Sequence, residues 1–167
     1  MFDFSLLQND LRATPDDHLR AFFGAQARYY LDVAQDFRDG VPFRYNIAAF
    51  FLGLFWMLYR KLYAVFVITA LLVVLEQQLE QWLLPILAAN SAWNTFSNLV
   101  TASLVGMLGN RLYLRQAVNK IAEVTALKLG EAATLSELRR RGGTSWAGPL
   151  ALLAFVAAAL YAGLAAG

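Results

Sequence analysis

Apolar positions recur with a helical period through the first forty residues and then gather into long runs that only polar or small residues interrupt. Thr14 is placed to cap a helix opening at Pro15, with Asp16 and Asp17 in its first turn facing the positive end of the helix dipole. Leu19, Phe23, Gln26, Tyr30, Val33, Ala34 and Phe37 then share one face, Arg20, Arg28, Asp32 and Asp36 another, and Gly40 and Pro42 end the helix. Phe2, Phe4, Leu6 and Leu7 predict a shorter helix before it. Residues 1–41 thus read as an amphipathic cytoplasmic region that lies on a membrane surface or docks on a protein.

Residues 42–128 read as a membrane core. The apolar stretch 46–59 is too short to cross the ~20-residue hydrocarbon span and suits an interfacial or re-entrant helix. A crossing over 62–84 and a return over 93–113 follow, and 115–128 is amphipathic. One long tilted helix from Asn46 to Leu75 is the competing drawing, and it would bury Arg60 and Lys61 in lipid at high cost. Residues 129–145 form a basic cytoplasmic loop, with Thr134 and Glu137 spaced as a capping box before Arg139, Arg140 and Arg141. A last crossing occupies 146–167. The expected fold is an all-α integral membrane protein of three transmembrane helices, a short interfacial or re-entrant helix and an N-terminal amphipathic helix.

Charge gives this drawing a direction. No lysine or arginine occurs from Leu62 to Asn110, so that window is the excursion outward and back, because cationic residues stay on the cytoplasmic side. The N-terminus is expected in the cytoplasm, retained rather than cleaved, and the C-terminus outside. Hydrophobic residues make up 59% of the 167-residue chain and charged residues 16%, against about 45–50% and 25% in soluble domains. A net charge of +2 gives no reason to expect nucleic acid, and the absence of cysteine removes disulfides and thiolate metal sites.

Trp56, Tyr59, Arg60, Lys61, Tyr63, Asn110, Arg111 and Tyr113 all fall at one cytoplasmic boundary. They read either as an aromatic belt with its basic flank or as a pocket for a phospholipid headgroup, Trp56 and Arg60 being spaced for a cation–π contact. Small residues give helix-packing faces: Ala102 and Gly106 on the return crossing, Ala151, Ala154, Ala158 and Ala162 on the last. Glu76 and Glu80, one turn apart, could bind a cation or relay a proton, or could mark a helix emerging into water. His18 stands alone without a metal-site spacing, and Ser103, Ser136 and Ser145 have no histidine base nearby. No enzyme, metal or cofactor is expected, although a bound phospholipid is compatible with the pattern.

Asn46–Gly53, Trp56–Tyr63 and Gly109–Tyr113, preceded by Tyr29-Tyr30, resemble a small bacterial inner-membrane family classed as a domain of unknown function, number twenty-six twenty-eight. The resemblance covers roughly Phe22 to Ala122 and implies the bacterial inner membrane but no activity. Leu62 departs from the methionine common at that place. The expected role is a non-catalytic accessory subunit of a larger inner-membrane complex, with other integral membrane proteins and anionic phospholipids as partners and no nucleic acid or soluble substrate. The alternatives are a homo-oligomeric transporter or channel using Glu76 and Glu80, and an anionic-lipid-binding protein.

Overall fold

A computed structural model describes residues 4–166, all of its regular elements being helices. They are α1 (Phe4–Ala13), α2 (Asp16–Phe23), α3 (Ala27–Arg38), α4 (Ile47–Tyr59), α5 (Tyr63–Leu83), α6 (Pro85–Ala88), α7 (Ser91–Thr125), α8 (Glu131–Arg141) and α9 (Ala147–Ala166). Phe2 and Gly167 lie outside the described residues.

The first region folds back on the chain itself. Leu19, Phe23, Tyr30, Val33, Ala34 and Phe37 are buried as the amphipathic pattern predicts, yet the helix is not continuous. Gly24 adopts φ +60° and a 3₁₀ turn over Gly24–Gln26 separates α2 from α3. Left-handed backbone is cheap for glycine, and the break lets both short helices lay apolar faces on one core. Thr14 does not cap α2; its hydroxyl donates back to the Asp10 carbonyl at 2.7 Å and finishes α1. Leu7 and Leu11 of α1 complete the layer.

These helices pack on α8 and the second half of α7, forming a cap whose core holds Phe22, Phe23, Tyr113, Ile121, Val124 and Leu138. Segment 129–145 is therefore more than a loop. The helix in it starts at Glu131, because Gly130 provides the extended N-cap and Glu131 meets the dipole. Thr134 becomes interior, its hydroxyl donating to the Leu129 carbonyl rather than closing a capping box. Gly142 lets α8 end against α2: a Cβ there would stand 2.0 Å from the Phe22 carbonyl oxygen. The next amide, Gly143 N–H, donates to that same carbonyl at 2.7 Å.

α4 seats on the middle of α7, where Gly106 receives the Tyr45 ring and Gly109 receives Ala49 and Trp56. Gly53 (φ +46°, ψ −116°) kinks it into two short arms, which excludes the single straight helix from Asn46 to Leu75. α4 ends in a Schellman motif: Lys61 N–H donates to the Leu58 carbonyl at 3.0 Å and Leu62 N–H to Met57 at 2.8 Å. Lys61 holds the left-handed position (φ +59°) that glycine usually takes.

α5 and α9 touch this core near their starts, Val65 and Phe66 of α5 leaning on it and Gly148 of α9 meeting Leu58, and then leave it. Both are long and apolar enough to cross a membrane, with no part of the apolar window of α5 buried and 6% of that of α9. Two helices meet that description rather than the three read from the sequence. The first half of α7 fails it because Asn94, Thr95, Ser97, Asn98, Thr101 and Ser103 dilute its apolar residues. It is not a separate element from the amphipathic stretch after it, since α7 runs unbroken for 35 residues.

Candidate functional site

The boundary residues converge, but on protein. Asn46 caps α4 by accepting the Ala49 N–H at 2.8 Å, and its own backbone N–H donates to the Gly106 carbonyl at 2.8 Å. Its side-chain amide donates to Asn110 Oδ1 at 2.7 Å. Asn110 then donates to the Tyr29 hydroxyl and the Arg44 carbonyl, each at 3.0 Å. Both asparagines are buried, so this network fixes the register of α4 on α7 and joins both to α3.

Next to it lies Arg60, only 5% exposed. Its guanidinium carbon sits 4.8 Å from the Tyr30 ring centre, 5.3 Å from Tyr113 and 5.7 Å from Tyr59. Nη2 donates to Gln26 Oε1 at 3.1 Å, while Nε, Nη1 and the Tyr113 hydroxyl are buried without a hydrogen-bond partner. Trp56 is buried against Tyr113 instead of lying over Arg60, so the cation–π partners are three tyrosines and not the predicted tryptophan. Burial pushes the Tyr30 hydroxyl well above its ordinary pKa, the nearby Arg60 charge opposing part of that shift.

This enclosure removes Arg60, Trp56, Asn110 and Tyr113 from any surface a headgroup could touch. Lys61 is also engaged: its ammonium donates to the Gly142 carbonyl at 2.6 Å and the Arg140 carbonyl at 3.3 Å, a cation at the C-terminus of α8. Tyr59 is partly buried with its ring tilted against that of Trp146, centres 5.0 Å apart, Arg111 is partly buried, and Tyr63 remains half exposed at the start of α5. Among the small residues, Gly106 is in a tight contact and Ala102 is partly buried. Ala151, Ala154, Ala158 and Ala162 stay exposed, the intramolecular contact of α9 being made by Gly148 against Leu58.

A second constellation lies at the far end of the α5–α7 hairpin. Ser97 Oγ bridges the carboxylates of Glu76 and Glu80, contacting Glu80 Oε1 at 3.0 Å and Glu76 Oε1 more closely. With Gln77, Gln81, Asn94 and Asn98 these groups line a polar cleft of about 280 Å³. Continuing toward the cap, α5 and α7 diverge around an apolar groove of about 420 Å³ bordered by Thr69, Leu72, Val73, Thr101, Leu104 and Leu108. Sequence reasoning found the carboxylates but missed Ser97 and this groove, since neither has a signal in the spacing of a single helix. No cluster of metal-ligating side chains occurs among the described residues.

The model of the family described as "Protein of unknown function (DUF2628)" matches residues 21–118, which hold α3, α4, α5, α6 and much of α7. The chain belongs to this family. The match ends just past Tyr113 and includes Tyr30, Asn46, Arg60 and Asn110, so the buried network lies within the family unit while α8 and α9 follow it. Neither a curated protein nor a solved structure matches the chain.

Proposed function

We propose that this family member is a membrane-embedded accessory subunit that holds other integral membrane proteins rather than performing chemistry. α5 carries the reading: Leu71, Leu72, Val74 and Leu75 are each more than half exposed along a helix that meets the core of its own chain near its start, at Val65 and Phe66. So much contiguous apolar surface calls for lipid or a partner. α5 leaves the cap and α7 returns to it, so if α5 crosses a bilayer the first half of α7 crosses back beside it. The polar groups of that half are largely satisfied within the helix, Thr95, Asn98 and Ser103 each donating to a carbonyl one turn earlier. The stretch without lysine or arginine, 62–110, favours the cap on the cytoplasmic side of a bacterial inner membrane and the C-terminus outside. The alanine stripe of α9 is then open to a neighbouring helix in lipid.

Purification of the tagged chain from its own membranes in mild detergent, with co-eluting proteins identified by mass spectrometry, tests this. Stoichiometric foreign subunits are expected, and a pure homo-oligomer would overturn it. The Ser97-bridged carboxylates favour the second reading, a small transporter or channel, in which Glu76→Gln and Glu80→Gln abolish ion flux through such a homo-oligomer. A surface that recruits anionic lipid through Arg60 is disfavoured by the burial of that side chain.

A further inference from the structure

The polar cleft and the apolar groove between α5 and α7 adjoin, and Glu76 borders both. Together they form one amphipathic channel, apolar near the cap and polar at the hairpin's far end. Resting on the reading that this hairpin stands in a bilayer, we infer that it binds one phospholipid with a primary-amine headgroup, one acyl chain in the groove and the ammonium among Glu76, Glu80 and the surrounding amides.

The shape suits an acyl chain. The groove's 420 Å³ is spread along the ~18 Å that α7 rises from Val100 to Leu112. A single polymethylene chain can lie along so long and narrow a slot. An empty slot of this kind between apolar helices would forfeit dispersion contacts on both walls, and in a bilayer the nearest filler is an acyl tail.

The head is selected by charge. Two carboxylates one turn apart meet at the Ser97 hydroxyl, whose one proton serves only one of them at a time. No lysine or arginine lies anywhere from Leu62 to Asn110, so the hairpin supplies neither a counter-ion to these carboxylates nor a cation to hold an anionic headgroup. An ammonium supplies what is missing, with three donors for carboxylate and amide oxygens. A phosphatidylglycerol head offers no cation and brings a net negative charge toward two others.

The test places the detergent-extracted full chain in nanodiscs of equal phosphatidylethanolamine and phosphatidylglycerol, then releases it and counts retained lipid by native mass spectrometry. One phosphatidylethanolamine per chain is expected. Thr101→Trp, which fills the groove, should lower retention at least tenfold (~1.4 kcal/mol) with helix content unchanged by circular dichroism, while Thr101→Val retains the lipid. Glu76→Gln with Glu80→Gln should keep a lipid but erase the preference for the amine headgroup, a measurement that does not depend on the tryptophan variant folding. Wild-type chain that carries no lipid, or that retains phosphatidylglycerol equally, overturns the inference. So does lipid retention unaffected by Thr101→Trp in a folded chain. A chain released from membranes by salt or alkali without detergent would sink the bilayer reading itself, whereas a detergent-dependent chain without lipid sinks this inference alone.

Discussion

In the cap, Phe22, Phe23, Tyr30 and Tyr113 meet as tilted and edge-on ring pairs and are buried to within one per cent of complete. Along α5 and α9, side chains no less apolar stand in the open: Leu71 is 64% exposed and Phe155 71%. The cap is organised by specific contacts, a carbonyl against a glycine or an amide against an amide. The bare helices are organised by composition, so that many residues could replace one another there without changing the shape. Specificity in the cap and interchangeability in the bare helices are separable by mutation.

The largest effect is expected at Gly142, where any side chain collides with the Phe22 backbone. Gly142→Ala should cost about 3 kcal/mol or more, read as a fall in the cap's thermal midpoint by near-ultraviolet circular dichroism in detergent. Leu71→Arg should leave that midpoint unchanged while opposing membrane insertion by about 3 kcal/mol, read in an insertion assay; a falling midpoint would mean that α5 packs on the core well past Val65 and Phe66. Asn110→Leu strands the Asn46 amide, the Tyr29 hydroxyl and the Arg44 carbonyl, and should cost about 2 kcal/mol by chemical denaturation.

Arg60→Met is expected to change stability by less than about 1 kcal/mol. Ring contacts worth about 2 kcal/mol are lost, but so are two buried nitrogens, Nε and Nη1, whose unbonded N–H groups cost a similar amount. A large loss would show that the cation itself holds the three tyrosines together. The smallest effect concerns pH. Hydrogen bonds from Arg140 and Arg141 hold Glu137 down to about 2 from an ordinary 4.5, so its contribution is complete above the ordinary value and disappears as pH falls through about 2. Glu137→Gln should flatten the acid limb of the stability curve between these values and leave its shape above about 4.5 unaltered.

Periodicity made the helical content legible, and it marked the buried face of α2 and α3 because that face repeats every turn. It also brought Asn46 and Asn110 to one boundary. What it could not carry was the competition between local signals. Thr14 and Thr134 both look like caps, and each loses to a neighbour, Pro15 or Gly130, whose backbone already suits the helix start. Gly24 and Lys61 turn left-handed because helices distant in sequence meet there. The surroundings of Arg60 come from Gln26, Tyr30 and Tyr113, at separations no spacing rule reaches, so a residue resembling a membrane flank is an interior one.

α7 extends ~52 Å at 1.5 Å per residue, well beyond the ~30 Å of a hydrocarbon core, and is clamped near its middle by the Asn46–Asn110 pair. Beyond Asn110 it is gripped along its length by the cap, through Tyr113, Ala117, Ile121 and Val124. The half before Asn110 is thus a mast stepped in a fixed base, and the cap sets the direction in which the hairpin points.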